Sequence, residues 1–265
     1  MSDFNTALTF LLNDKQIVVE APTATQTVLQ FLREQAGPKG TKEGCAEGDC
    51  GACTVIVGER VNDDLLLRTV NACIQFLPTL QGKLVYTVEY LKQTNGDELH
   101  PVQQALVECH GSQCGFCTPG FVMSLWGYYL AKQEVSEKPP SSVELKNELS
   151  GNLCRCTGYK PILEAGLRMF DYPSVAYDKK PILDQLRALN NGSTFSSSGF
   201  YAPKTLAELL ALRREFPTST LLAGGTDVGL WVTKHMRSVS PAAFIGHLDG
   251  LKHIDAGADN LTFGA

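Results

Sequence analysis

Residues 7–20 alternate between apolar and polar side chains and break at Asn13-Asp14, which predicts two antiparallel strands joined by a tight turn. The period then changes, with Val28, Leu29, Phe31 and Leu32 on one face of a helix that ends before Gly37-Pro38. The run Thr54-Val55-Ile56-Val57 predicts a strand, and further strands are expected near Cys73 and over residues 84–88. Hairpin, helix, loop and returning strands make residues 1–90 a small α+β domain of the kind a β-grasp ferredoxin forms.

From residue 91 to 171 the signals turn helical. His100-Pro101 opens one helix and Pro119 another, with Thr118 as its N-cap; Ser141-x-x-Glu144 after Pro139-Pro140 reads as a capping box for a third, and Pro161 opens a fourth. Short connections between them predict a four-helix bundle. Residues 172–203, with Tyr172-Pro173, Lys180-Pro181 and the polar run 190–199, have the composition of a linker holding a short helix around 183–189. In residues 204–265, Thr205-x-x-Glu208 caps a helix that stops at Pro217. A strand over 220–223 then leads into Gly224-Gly225-Thr226-Asp227, and Leu261-Thr262-Phe263 reads as another strand. A strand-to-glycine turn can set backbone N–H groups against a diphosphate, and an ordinary surface turn accounts for the same residues.

Composition narrows the function classes. A chain of 265 residues with 43% hydrophobic and 8% aromatic residues can bury two or three cores. The net charge of -5, without a basic stripe, argues against nucleic acid, and the longest apolar run, 121–130, is half of a membrane span. No secretory leader is recognisable, because the first residues lack a basic region and the apolar run breaks at Asn13-Asp14. The expectation is a soluble, cytoplasmic protein without nucleic-acid or membrane partners.

Eight of the nine cysteines fall into two quartets: Cys45-x4-Cys50-x2-Cys53 with Cys73, and Cys114-x2-Cys117 with Cys154-x-Cys156. The first repeats the plant-type ferredoxin spacing for a [2Fe–2S] cluster. Gly44, Gly48 and Gly51 supply backbone freedom for N–H groups to turn toward sulfur, and Ala46 and Ala52 keep the loop narrow. In the second, helices opening at Pro119 and Pro161 would both aim positive ends at the thiolates. Four-thiolate zinc is the rival, weaker for the first quartet than for the less specific CxxC plus CxC of the second. A thioredoxin-like reading of Cys114-Gly115-Phe116-Cys117 lacks the strand that should precede it, and the odd cysteine count opposes secreted disulfides. Cys109, in phase with Val102, Ala105 and Leu106, reads as a core thiol. His100, His110, His235, His247 and His253 show no metal-ligand spacing.

Three segments together resemble the iron–sulfur part of the xanthine oxidase family of molybdenum hydroxylases: Gly44-Cys45-x-x-Gly48-x-Cys50-Gly51-Ala52-Cys53, Gln113-Cys114-Gly115-Phe116-Cys117-Thr118-Pro119-Gly120, and Gly151-Asn152-Leu153-Cys154-Arg155-Cys156-Thr157-Gly158-Tyr159. Leu222-Ala223-Gly224-Gly225-Thr226-Asp227 resembles that family's flavin motif. Iron–sulfur domains, a linker and a flavin segment without a molybdenum domain look like the small subunits of bacterial xanthine dehydrogenases, and residues 200–206 and 229–234 strengthen the likeness.

The resemblance implies an α+β chain with a β-grasp [2Fe–2S] domain, a four-helix [2Fe–2S] domain, a linker and the start of an FAD-binding domain, cut short at Ala265 or completed elsewhere. It implies that Leu221, Leu222, Ala223, Gly224, Gly225, Thr226, Asp227 and Val228 cradle the FAD diphosphate, with Glu47 and Gly48 near the flavin ring. Gln113 would stand beside the pterin of a molybdopterin-binding large subunit, or else be an exposed amide beside a ligand. The implied assembly is an (αβ)2 heterotetramer. Electrons from hypoxanthine or xanthine would pass singly through both clusters to FAD and then NAD. Acid–base chemistry would belong to the partner. Related aldehyde- or heterocycle-oxidising enzymes, and a stand-alone ferredoxin-like carrier, are the alternatives.

Overall fold

A computed structural model describes residues 6–96, 98–135, 140–189 and 194–264. Pro139, residues 190–193 of the polar run, and Ala265 lie outside the described residues. Strands β1 (Ala7–Leu12) and β2 (Lys15–Glu20) pair antiparallel, with Leu12 opposite Lys15. Asn13 takes φ 58 in the two-residue turn, where a short polar side chain tolerates the left-handed conformation. Helix α1 (Val28–Phe31) starts on a reciprocal cap: the Gln30 amide donates to the Thr27 hydroxyl at 3.1 Å, and the Thr27 amide donates to the Gln30 side chain at 2.9 Å. It widens into a π turn over Leu32–Ala36 and stops at Gly37, φ 94.

Strands β3 (Thr54–Val61), β4 (Asp64–Asn71) and β5 (Leu84–Tyr86) complete a five-stranded sheet of order β2-β1-β5-β3-β4, in which β1 and β5 run parallel and the other neighbours antiparallel. Successive side chains on a strand point to opposite faces, and here both faces are buried. Leu8, Phe10, Leu12, Val55 and Val85 enter one core with α1; Leu11, Ile56, Leu84 and Tyr86 enter a second core.

That second core is helical. It is built by α2 (Pro101–Glu108), α3 (Thr118–Val135), α4 (Ser142–Glu148) and α5 (Lys160–Arg168), with Trp126, Tyr129, Leu145 and Ile162 buried among them. The predicted Ser141 capping box is present, Ser141 and Glu144 each receiving the other's amide, at 3.1 and 2.8 Å. Thr118 is not the N-cap of α3. It lies in the first turn with its hydroxyl 2.7 Å from the Ser112 hydroxyl, while the Cys117 carbonyl accepts from the Phe121 amide, so Cys117 stands at the helix boundary. Cys109 is half-buried against this core rather than within it.

The described residues of 172–203 hold more secondary structure than their linker composition suggests. Helix α6 (Lys180–Leu189) tucks Ile182 and Leu186 into the helical core over β1 and β3. Beyond it, β6 (Phe195–Ser197) and β7 (Phe200–Ala202) are strands of a second sheet, of order β6-β7-β9-β8, with β8 (Thr220–Leu222) and β9 (Ala242–Phe244). The polar run hides one aromatic anchor and a second follows it: Phe195 and Phe200 are 1% and 0% exposed in the core that also holds β1 and α1. The hydrophobic side of this second sheet is therefore shared with the first. Helix α7 (Leu206–Glu215) follows, with its Glu208 amide donating to Thr205 as predicted, then α8 (Val228–Thr233) after β8. A hairpin of β10 (Ile254–Ala256) and β11 (Leu261–Phe263) comes last. Among the described residues no helix is long and apolar enough to cross a membrane.

Candidate functional site

All nine cysteines are free thiols, and the eight in the two quartets are gathered as pairs. In the first quartet the Cys45 and Cys50 side chains are in hydrogen-bond contact, as are those of Cys53 and Cys73, and Cys45 lies within the field of Cys73. Backbone amides turn inward as the glycine-rich spacing predicts: Gly48 N–H donates to Cys73 Sγ at 3.2 Å, and Asp49 and Glu47 N–H donate to Cys45 Sγ at 3.3 and 3.5 Å. A side chain at Gly44 would intrude on the sulfur, since its Cβ would lie 2.7 Å from Cys50 Sγ.

The electrostatics split three of the pairs. Burial raises the Cys45 thiol, but the amides of Glu47 and Asp49 and the Cys50 contact outweigh it and bring it below the ordinary value, while burial pushes Cys50 up. The Cys73 contact lowers Cys53 against its own burial, and Cys73 rises correspondingly. In the second quartet Cys117 faces Cys154 and Cys156 faces Cys114. Burial, then Cys154, pushes Cys117 up to about 12, whereas the Thr157 hydroxyl and the neighbouring amides outweigh burial and lower Cys154. A proton shared between two sulfurs is what a metal centre displaces on binding.

Among the described residues no three His, Cys, Asp or Glu side chains converge as a cage for a single ion. A two-iron cluster takes two thiolates on each iron, so paired pairs suit it better than they suit the closed tetrahedron of structural zinc. The residues present fit [2Fe–2S] clusters.

The quartets touch. Leu153 N–H donates to the Cys50 carbonyl at 2.9 Å, and the Asn152 amide nitrogen reaches the Gly51 carbonyl at 3.0 Å and Thr54 Oγ1 at 3.3 Å. Gly51, φ 68, must lack a side chain for this, since its Cβ would fall 2.4 Å from the Gly151 carbonyl. Gly120, in the first turn of α3, lies against the same loop, its Cβ position 2.1 Å from the Gly51 oxygen.

On the far side, the β8–α8 turn rests on the residue after Cys73. The Cβ position of Gly229 is 2.6 Å from the Ile74 carbonyl oxygen, and that of Gly225, φ 87, is 3.6 Å from the same oxygen. The turn itself faces outward: Ala223, Gly224, Thr226 and Asp227 are exposed, Leu221 is 47% exposed, and a Cβ on Gly224 would meet nothing within 4 Å. It offers free backbone to a ligand, which fits a diphosphate cradle.

Comparison with known proteins decides among these chemistries. Residues 10–76 match the family described as 2Fe-2S iron-sulfur cluster binding domain, residues 87–167 match [2Fe-2S] binding domain, and residues 193–265 match FAD binding domain in molybdopterin dehydrogenase. The chain is 36% identical to xanthine dehydrogenase of Drosophila pseudoobscura pseudoobscura over 85% of its length and 20% of the relative's. To aldehyde oxidase 4 of Cavia porcellus it is 34% identical, over 84% of the chain and 20% of the relative. Among solved structures, quinoline 2-oxidoreductase from Pseudomonas putida 86 superposes with TM-score 0.51 and 29% identity, covering 69% of this chain and 96% of that one.

The chain belongs to the xanthine oxidase family of molybdenum hydroxylases. It carries that family's iron–sulfur and FAD-binding segments, and its cofactors are two [2Fe–2S] clusters and FAD. It spans about a fifth of the length of the curated relatives it matches.

In this xanthine oxidase family chain, the residues first singled out by resemblance fall in three places. Gln113 is exposed beside Cys114, whose thiol faces the exposed Cys156. Gly48 packs on Ile74, and Glu47 meets the Lys234 ammonium at 3.1 Å, at the boundary between the first quartet and α8. Sequence reasoning missed the joints. Gly120, Asn152 and Lys234 stand within the quoted motifs but, like Ile74, carry no cofactor-ligand chemistry of their own, and only the tertiary contacts give them a role.

Proposed function

We propose that this chain is the electron relay of a xanthine dehydrogenase, carrying electrons from a molybdopterin-binding partner subunit to FAD and NAD within an (αβ)2 assembly. Cys45, Cys50, Cys53 and Cys73 would hold one [2Fe–2S] cluster, and Cys114, Cys117, Cys154 and Cys156 the other. When bound, these clusters supply one-electron transfer and FAD couples it to hydride chemistry. The observation that carries the reading is the unbroken series of contacts, from the second quartet through Leu153 to Cys50, and from Cys73 through Ile74 to the β8–α8 turn.

The chain's own residues hold this series together. Amides of Glu47, Gly48 and Asp49 stabilise negative sulfur, and Gly225 and Gly229 let the flavin-binding turn approach Ile74. Residues 221–228 would cradle the FAD diphosphate, with Glu47 and Gly48 toward the ring. The exposed residues Gln113, Cys114, Phe116 and Cys156 would receive the molybdopterin-binding partner, with Gln113 toward the pterin.

The test is hypoxanthine-dependent NAD reduction by the purified complex, together with iron analysis and EPR of the reduced protein. Two distinct [2Fe–2S] signals and purine-dependent turnover are expected. A colourless protein with stoichiometric zinc would refute the relay, and a coloured protein that never co-purifies with a molybdopterin subunit would indicate a stand-alone carrier. The similarity to aldehyde oxidase 4 and to quinoline 2-oxidoreductase favours a second reading, in which the same relay serves an aldehyde- or heterocycle-oxidising partner. Turnover of an aldehyde but not of a purine would select it.

A further inference from the structure

Asn152 is 4% exposed and carries three side-chain hydrogen bonds in the gap between the quartets. Its amide nitrogen donates to the Gly51 carbonyl and to Thr54 Oγ1, both on the first quartet's loop, and its amide oxygen accepts from the Ser124 hydroxyl of α3 at 2.7 Å. Ser124 thereby fixes which end of the amide faces the loop, since an inverted amide would set oxygen against the Gly51 carbonyl. The next residue, Leu153, donates its N–H to the Cys50 carbonyl, and Cys154 follows directly in the chain. Between a cysteine of the first quartet and a cysteine of the second there stand only one hydrogen bond and one residue of backbone.

Resting on the relay reading above, we propose that Asn152 is the positioning residue for electron exchange between the two clusters, and that the Leu153–Cys50 hydrogen bond it holds in register is the route. The step is a bare electron transfer: one two-iron centre is oxidised, the other is reduced, no bond is made or broken, and no proton moves. Asn152 touches neither sulfur quartet through its side chain. Its effect is on the separation and bonding of the loops that carry them.

The experiment uses the iron-loaded complex of wild type, Asn152→Ala and Ser124→Ala. Iron per chain and EPR of the reduced protein report whether both centres are present. The magnetic interaction between the two reduced centres reads their coupling, and photoreduction followed by fast spectroscopy reads the exchange rate. Asn152→Ala should keep both EPR signals, weaken their mutual interaction and slow exchange by about tenfold or more, with Ser124→Ala moving both quantities in the same direction by about two- to fivefold. Full iron with coupling and rate unchanged within about twofold in both variants would overturn the inference while leaving the relay intact. If Asn152→Ala fails to retain iron, Ser124→Ala decides in the same way. Wild type lacking two [2Fe–2S] signals would overturn the relay reading itself, and this inference with it.

Discussion

Cys154 shows how one residue's surroundings set its role. It is buried, its sulfur lies 3.2 Å from the Thr157 hydroxyl and faces Cys117, and its amide donates to the Tyr159 hydroxyl at 3.0 Å. Cys154→Ser should cut iron content by about half and remove one EPR signal, whereas Cys109→Ser, outside both quartets, should leave iron content and both signals unchanged. His100 is a second case. It caps α2, its Nδ1 accepting from the Val102 amide at 3.2 Å, with the rings of Tyr129 and Trp126 packed edge-on against it. Burial holds its pKa down to about 4. The unfolded chain binds the proton at higher pH, near the ordinary value of about 6.5, so stability is fully present above that value. It is lost as pH falls from there toward 4, by on the order of 3 kcal/mol. His247, also held to about 4 by burial, adds a loss of the same sign. His100→Asn retains a capping side chain and should remove part of this pH dependence, as read from urea unfolding at pH 7 and pH 5.

At the scale of elements, close backbone approach decides function. The first turn of α3 lies on the Gly51 loop with no room at Gly120 for a Cβ, because backbone oxygen and the Ala52 Cα occupy its place. Gly120→Ala must push α3 off the loop. It should destabilise the protein by about 1–3 kcal/mol in denaturant unfolding and disturb both EPR signals together. Gly229→Ala acts at the other joint, where the Ile74 carbonyl blocks the added methyl. Lower FAD content with both [2Fe–2S] signals retained is the expected result, checked by flavin release and absorbance. α1, β1, β2 and α7 were legible in the sequence because their period, caps and turn residues are local: the Val28-to-Leu32 period with Gly37-Pro38, Asn13-Asp14 and Thr205 carry those signals within a few positions. Strands β6 and β7 were hidden because each is three residues long, β6 set among serines and β7 closed in by Gly199 and Pro203.

For the whole molecule, the central sheet acts as a partition with a core on each face. One face holds α1 together with Phe195, Phe200, Leu222 and Phe244 of the flavin segment; the other holds the helical bundle and α6. Three matched families are thus fused through two shared cores, and the flavin segment adds a small core of its own around Leu209, Ala243, Ile245 and Leu248. Phe200→Ala, 0% exposed between β7 and the ferredoxin-like sheet, should cost about 3–5 kcal/mol. Its effect should appear in unfolding of the iron–sulfur region as well as the flavin segment, so a single shared transition is expected by circular dichroism and cluster absorbance. Two separated transitions would show that the cores are independent.

Ligand chemistry and local geometry were determined by the sequence itself. Cysteine spacing, glycines beside the ligands, helix caps and the strand-to-glycine turn all act over a few residues, where covalent geometry and hydrogen bonding leave few choices. The joints were decided only in three dimensions. Asn152 beside Gly51, Ile74 beneath Gly229, and Lys234 across from Glu47 join positions about 100, 155 and 187 residues apart. No periodicity marks such pairs, because their closeness comes from burying both faces of one sheet and from packing that admits backbone against backbone.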